Sequence, residues 1–119
     1  MFTFVVANAQ SMHDGSGRKI GSVSGDSYYD STGRKIGYTA GESIYDGTGG
    51  KIGYISAENL HDGSGRKIGY IQGESFYDGS GRKIGYMQGE SIYDASGKKI
   101  GYAEGLRRMQ IIIFFYFFM

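Results

Sequence analysis

The chain contains no cysteine, no proline and no tryptophan. Without cysteine it can form neither disulfides nor thiolate metal sites, and thiol catalysis is excluded. Thirteen Lys and Arg against twelve Asp and Glu leave a formal net charge of +1, so there is no overall basic field to attract nucleic acid. No apolar run approaches the roughly 20 residues that a membrane-spanning helix needs. We therefore expect neither a nucleic-acid partner nor a transmembrane segment.

Glycine and aromatic residues are abundant instead. The 119 residues include 22 Gly, 11 Tyr and 7 Phe. Each glycine inside a helix costs about 1 kcal/mol relative to alanine, so glycine at this density argues against helices. The aromatic rings offer enough apolar area to offset the entropy of ordering the chain, which a flexible glycine linker cannot do. The composition therefore predicts a folded, all-β chain with many tight turns.

A sixteen-residue unit occurs six times between Asp14 and Met109 without insertions. It reads Asp-x-x-Gly-x-Lys-Ile-Gly-Tyr-x-x-Gly-Glu-Ser-x-Tyr, with Ser22 in place of the Tyr and Ala57 in place of a Gly. The Asp carboxylate can accept hydrogen bonds from nearby backbone N–H groups, and glycine tolerates the positive φ of such turns. The predicted turn-forming residues are Asp14, Gly17, Asp30, Gly33, Asp46, Gly49, Asp62, Gly65, Asp78, Gly81, Asp94 and Gly97.

Each unit also contains two short runs of strand-forming residues, which predicts one β-hairpin per unit. Two architectures accommodate such units. Either the hairpins are arranged radially around an axis, or the units stack in parallel as a β-solenoid. We favour the radial arrangement of tandem sixteen-residue hairpins, because antiparallel strands joined by tight turns need only local pairing.

Strand alternation predicts which residues are buried. It places the repeated Ile and the Tyr two positions later on one face of the strand and the Lys on the other. The predicted core is the set Ile20, Ile36, Ile52, Ile68, Ile84 and Ile100. The apolar position of the second strand joins it, at Tyr28, Ile44, Leu60, Phe76 and Ile92.

The segment IYDASGKKIGYAEG at residues 92–105, its tandem copies and the aromatic end of the chain carry a family resemblance. Together they resemble the small exported bacterial five-fold beta-flower family over about residues 11–119. The resemblance implies a compact all-β module, typically exported, with no assigned chemistry and no catalytic residues. Six Asp motifs rather than five leave the symmetry number open. In one interpretation, the strand at His13 and Asp14 completes a hairpin with the end of the chain.

The two ends of the chain fall outside the repeat, which gives three segments: residues 1–10, a six-repeat β domain at 11–105, and residues 106–119. The first ends in Ala7-Asn8-Ala9, the small-x-small pattern that precedes signal-peptide cleavage. It is therefore either the remnant of a signal peptide or a short N-terminal strand. We expect export to the periplasm, the cell surface or the medium.

Residues 106–119 are predicted to form a hydrophobic C-terminal strand. Nine apolar residues cannot span a membrane as a helix, and they cannot remain in water. The strand fills the centre of its own barrel, or docks on a neighbouring subunit, or inserts into a membrane surface beside Arg107 and Arg108. For docking on a neighbour, the predicted assembly residues are Ile111, Ile112, Ile113, Phe114, Phe115, Tyr116, Phe117 and Phe118.

The candidates for chemistry are weak. The Asp turn offers one carboxylate, whereas calcium takes six to eight oxygen ligands. His13 and His61 occupy positions where other units have Tyr, which indicates aromatic substitutes rather than metal ligands. Glu42, Glu58, Glu74 and Glu90 recur in equivalent surroundings, unlike a catalytic pair with two different environments. We expect no enzyme activity, no catalytic residue, no metal and no cofactor.

Two functional hypotheses remain. The favoured one is an exported structural module that self-assembles into a homo-oligomer or filament through its apolar C-terminal strand. The alternative is a multivalent module that binds a glycan or surface polymer through equivalent Tyr and Glu positions on successive hairpins. Its tyrosines are Tyr38, Tyr54, Tyr70, Tyr86 and Tyr102.

Overall fold

A computed structural model of the chain describes residues 10–119. Of the predicted N-terminal segment, residues 1–9 lie outside the described residues. Twelve strands precede a helical C-terminus. The strands are β1 (Ser11–Asp14), β2 (Lys19–Ser24), β3 (Ser27–Asp30), β4 (Lys35–Ala40), β5 (Ser43–Asp46), β6 (Lys51–Ser56), β7 (Asn59–Asp62), β8 (Lys67–Gln72), β9 (Ser75–Asp78), β10 (Lys83–Gln88), β11 (Ser91–Asp94) and β12 (Lys99–Glu104).

The twelve strands form one closed antiparallel barrel. Each strand pairs with its neighbours in sequence, and β1 closes the barrel on β12 with Ser11 opposite Glu104 and His13 opposite Tyr102. This confirms the radial all-β arrangement of hairpin repeats; a solenoid of parallel units is wrong. The pairing of β1 with β12 completes a sixth hairpin without a covalent turn, so the described residues form six equivalent units.

A β-bulge at the start of each long strand changes which face its lysine occupies. In the fifth unit Tyr77 pairs with Lys83 and Phe76 pairs with Gly85, so Ile84 has no direct partner. The extra residue resets the in-and-out alternation. As a result the Lys83 ammonium lies on the outside of the barrel, over the Tyr86 ring and 4.9 Å from its centroid. The predicted separation of Lys and Tyr onto opposite faces was therefore wrong.

The core is formed by other residues than the repeated isoleucines. The apolar residues of the short strands are buried, namely Met12, Tyr28, Ile44, Leu60, Phe76 and Ile92. Val23, Ile71, Met87 and Ala103 from the long strands join them. The predicted core isoleucines, Ile20, Ile36, Ile52, Ile68, Ile84 and Ile100, are only half-buried and pack against the margin of this core. The bulge beside each of these isoleucines accounts for the difference.

The C-terminus is helical, so the predicted C-terminal strand was wrong. Helix α1 (Arg108–Ile113) continues into a π-helical turn, Phe114–Phe118, inside the barrel. A closed barrel has no free edge, so a central strand would leave its N–H and C=O groups unpaired. A helix pairs those groups within itself. Within the described residues no helix is long and apolar enough to cross a membrane.

Each of the last six residues faces a different unit of the barrel. The contact point in every unit is the glycine that follows the repeated isoleucine. A Cβ built at Gly69 would lie 2.6 Å from the Tyr116 ring, and one at Gly85 would lie 3.6 Å from the Phe115 ring. The same relation joins Phe114 to Gly21, Phe118 to Gly37, Phe117 to Gly53 and Met119 to Gly101. The inner wall therefore leaves room for one tail side chain per unit.

Deletion of residues 106–119 is expected to unfold the barrel. Ile111, Ile112, Ile113 and Phe114 are at most 6 % exposed. At about 1.5–3 kcal/mol for each buried side chain, these four contribute about as much as the whole stability of a small domain. Far-ultraviolet circular dichroism and urea denaturation of the truncated chain check this. A truncated chain that keeps a cooperative unfolding transition would contradict it.

Gly69→Ala is expected to lower the free energy of unfolding by about 1–3 kcal/mol through overpacking against Tyr116. The added methyl group would meet the Tyr77 carbonyl oxygen at 2.5 Å and the Tyr116 ring at 2.6 Å. Gly50→Arg is the matched control, since Gly50 is exposed and four other units carry Arg there. Urea denaturation of both variants measures the difference. If the two variants had equal free energies of unfolding, Gly69 would not be needed to make room for the Tyr116 ring.

Candidate functional site

The six long turns are built in the same way around an aspartate. In the fifth unit Asp78 Oδ1 accepts hydrogen bonds from the Ser80 N–H at 2.9 Å, the Ser80 hydroxyl at 2.7 Å and the Arg82 N–H at 3.0 Å. The other five units repeat this geometry. Gly81 adopts the positive φ that this turn requires, 93°. The structure thus uses these residues to shape turns, and one carboxylate oxygen is already saturated.

The same hydrogen bonds stabilise the charged form of each aspartate. The Ser or Thr hydroxyl is the largest cause, followed by the backbone N–H four residues on, and together they hold the pKa of the carboxyl below its ordinary value. This applies to Asp14, Asp30, Asp46, Asp62, Asp78 and Asp94.

A belt of stacked aromatic rings surrounds the outside of the barrel. In the second unit Lys35 Nζ lies 4.7 Å from the Tyr38 centroid, and the Tyr38 ring stacks on Tyr45 at 5.0 Å. The stack recurs as Lys51–Tyr54–His61, Lys67–Tyr70–Tyr77, Lys83–Tyr86–Tyr93 and Lys99–Tyr102–His13. The five central tyrosines are half-buried, with an ammonium on one face and a ring on the other.

The two histidines are part of this belt. His61 stacks on Tyr54 at 4.5 Å and His13 on Tyr102 at 4.6 Å, at the positions that Tyr occupies in other units. Their Nδ1 atoms are buried and have no hydrogen-bond partner among residues 10–119. The imidazole rings therefore serve as flat packing surfaces in this structure.

The belt leaves little free ring surface for the multivalent glycan hypothesis. Glu74 and Tyr86 do border one groove, of about 180 Å³, together with Lys83. Glu58 and Tyr70 border another. A sugar stacks on the face of an aromatic ring, and both faces of these tyrosines are covered. The equivalent Tyr and Glu positions are thus close in space but present only ring edges and carboxylates.

The charges separate to the two ends of the barrel, a feature that sequence reasoning missed. The long-turn end carries the six turn aspartates against eleven Lys and Arg, a formal charge of +5. The tight-turn end carries Asp26, Glu42, Glu58, Glu74, Glu90 and Glu104 against Arg107 and Arg108, a formal charge of −4. The net charge of +1 conceals this polarity. The fixed position of Arg and Glu within each hairpin was the signal that could have found it.

Both ends also expose apolar atoms around the tail. Among the described residues, the exposed large hydrophobic side chains are Met109, 40 % exposed, and Met119, 47 % exposed. Met109 borders a cleft of about 400 Å³ between α1 and the tight turns, with Tyr28 and Ile55 in its wall. Met119 lies beside Gly101 toward the long-turn end, where Phe115–Phe118 are half-buried. Each end therefore combines an apolar centre with a charged rim.

The predicted assembly residues face inward. Of the set Ile111, Ile112, Ile113, Phe114, Phe115, Tyr116, Phe117 and Phe118, the first four are buried and the rest are half-buried in their own barrel. The Tyr116 hydroxyl donates to the Tyr77 carbonyl oxygen at 2.7 Å. At the other end Arg108 donates to the Gly73 carbonyl oxygen, which fixes the entry of the helix. The tail is a plug within its own chain.

Comparison with known proteins gives one family. A model of the 5-fold beta-flower protein family matches residues 9–119. The chain belongs to this family. The match covers all six units and the tail, and the family description names a fold and no reaction. No curated protein and no solved structure matches the chain.

The aspartate turns predict acid sensitivity. The pKa of each turn aspartate is lower in the folded chain than its value of 3.8 in the unfolded chain. The charged carboxylate therefore stabilises the folded state fully above pH 3.8, and this stabilisation is lost as the pH falls through the folded pKa. The urea midpoint should therefore be level from about pH 7 to 5 and fall below about pH 4. Asp78→Asn keeps an acceptor in the turn and should make the fall shallower. A midpoint unchanged down to about pH 2.5 would contradict this contribution.

Proposed function

We propose that the chain is a non-enzymatic, exported structural module whose barrels associate end to end. The observation that carries the proposal is the opposite charge of the two ends, +5 at the long turns and −4 at the tight turns. The partner is a second copy of the chain. The interface is heterologous, because the tight-turn end of one barrel faces the long-turn end of the next.

The rims are complementary in arrangement as well as in sign. Arg18, Arg34, Arg66, Arg82 and Lys98 hold the same place in five long turns, and all are exposed. Five of the six carboxylates hold the same place in the tight turns, and these are exposed as well. Both rings follow the same sixteen-residue spacing around one barrel. Stacked barrels would therefore bring several charge pairs together at once, which favours this orientation over its reverse.

The apolar centres supply the second part of the contact. Stacking would bring the Met119 end of one tail near the Met109 end of the next, at the cleft of about 400 Å³. An apolar centre enclosed by a polar rim is the usual composition of a protein interface. A head-to-tail contact along the barrel axis does not close on itself, so it extends into a filament.

This proposal replaces the tail-mediated assembly predicted from the sequence with assembly through the ends. The apolar tail holds each barrel together, and the charged ends join one barrel to the next. The proposal of export rests on the Ala7-Asn8-Ala9 pattern in the sequence. Multivalent glycan binding remains the alternative, restricted to the grooves that Glu58 and Glu74 border.

Charge reversal tests the stacking. At low ionic strength, light scattering of the full chain should give a mass that grows with concentration and falls toward the monomer at about 0.5 M salt. Arg66→Glu/Arg82→Glu and Glu58→Arg/Glu74→Arg should each weaken self-association about tenfold or more. An equimolar mixture of the two variants should restore association, because the unchanged tight-turn end of the first variant then meets the unchanged long-turn end of the second.

The matched control is Arg66→Lys/Arg82→Lys, which changes the same two positions and keeps their positive charge. Its self-association should stay near that of the unmodified chain. A monomer under every condition, or a mixture that fails to recover association, would overturn the proposal. Binding of a monomeric chain to phosphatidylserine vesicles through the same arginines would assign the basic end to a membrane surface instead.

A further inference from the structure

The first unit of the belt lacks one ring that the other five possess. Ser22 pairs directly with Tyr29, as Tyr38 pairs with Tyr45 in the next unit. Lys19 begins β2 just as Lys35 begins β4. The ammonium and the outer ring of the stack are therefore present, and only the ring between them is replaced by a small hydroxyl side chain.

In the described part of the chain, no other group takes the place of the missing tyrosine hydroxyl. In the other five units a tyrosine hydroxyl lies 3.7–4.0 Å from a Cβ built on the turn glycine at 17, 49, 65, 81 or 97. At Gly33 nothing lies within 4 Å. The turn itself is unchanged, because φ is 89° at Gly33 and 92–95° at those glycines. The first unit keeps the scaffold of the stack and lacks its central ring, and the place of that ring is called the slot.

We propose that this slot, formed by Lys19, Ser22, Tyr29 and Gly33, binds a phenol-type aromatic ring from outside the chain. The bound ring would lie on Tyr29 with the Lys19 ammonium over its other face and its hydroxyl directed toward Gly33. The other five units supply the geometry, with ring centroids 4.5–5.0 Å apart and Lys Nζ 4.7–5.1 Å from the ring.

An aromatic ring fits the slot better than a sugar does. The Lys19 ammonium is attracted to the negative face of a π system, which a pyranose lacks. Tyr29 adds a stacking surface on the opposite side. The slot lies on strands β2 and β3 beside the long-turn end, and it needs no second copy of the chain. The ring belongs either to a small phenol or to a tyrosine side chain of another protein.

The test is a nuclear magnetic resonance titration of the full chain with 4-methylphenol. Amide shifts should concentrate at Ser22, Tyr29 and Gly33, with a Kd of about 1 mM for so small a ligand. Cyclohexanol, similar in size but without a π face, should bind about tenfold more weakly or less, and so should methyl glucoside. N-acetyl-tyrosine amide should match 4-methylphenol if the source is a protein side chain, and should bind more weakly if it is a small phenol.

Two variants change the number of slots in opposite directions. Ser22→Tyr completes the sixth stack, so it should remove binding and raise the melting temperature. Tyr38→Ser opens an equivalent slot between Lys35 and Tyr45, so the stoichiometry should rise from one to two. The proposal is overturned if Ser22→Tyr binds 4-methylphenol as well as the unmodified chain. It is also overturned if Tyr38→Ser gains no site, or if cyclohexanol or methyl glucoside binds equally well.

Discussion

The fit of one helical tail into a ring of six glycines is the interaction on which the structure depends. A closed barrel of six hairpins has a hollow centre, and its wall has no side chain at Gly21, Gly37, Gly53, Gly69, Gly85 and Gly101. The last six residues of the chain supply the missing volume from inside. Wall and plug therefore stabilise each other, because the glycines leave a void without the tail, and a Cβ at four of them would overlap a tail side chain.

The plug also explains where the repeats differ. A single helix presents a different side chain to each unit, so the inner wall cannot be six-fold symmetric. The inward positions vary, as Val23, Thr39, Ile55, Ile71, Met87 and Ala103 in the long strands and as Met12, Tyr28, Ile44, Leu60, Phe76 and Ile92 in the short strands. The aspartate turns meet the same backbone and tyrosine neighbours in nearly every unit, and they stay nearly identical. The sequence therefore varies where it faces an asymmetric neighbour and repeats where its surroundings repeat.

Local features were predictable from sequence, whereas features that depend on closure were not. The sixteen-residue period, the hairpins and the aspartate turns follow from residues close together in the chain. The helical state of Ile111–Phe118 depends on the absence of a free strand edge, which only the closed barrel determines. The bulge that places Lys83 over Tyr86 could not be predicted from the sequence, because Lys-Ile-Gly is equally compatible with a regular β-strand.

Near-identical units make each departure from the pattern informative, because the other units show what the position normally does. Gly50 removes one basic residue from the long-turn rim, and Ser22 opens one stack of the belt. Ala57 adopts φ of 57° where the other tight turns have glycine, and nothing in the structure explains it. Ser22 and Tyr29 of the open slot lie on strands β2 and β3, whereas Lys19 and Gly33 border the long turns. Barrels joined through their ends would therefore carry one identical aromatic slot per subunit, at the same distance from each junction.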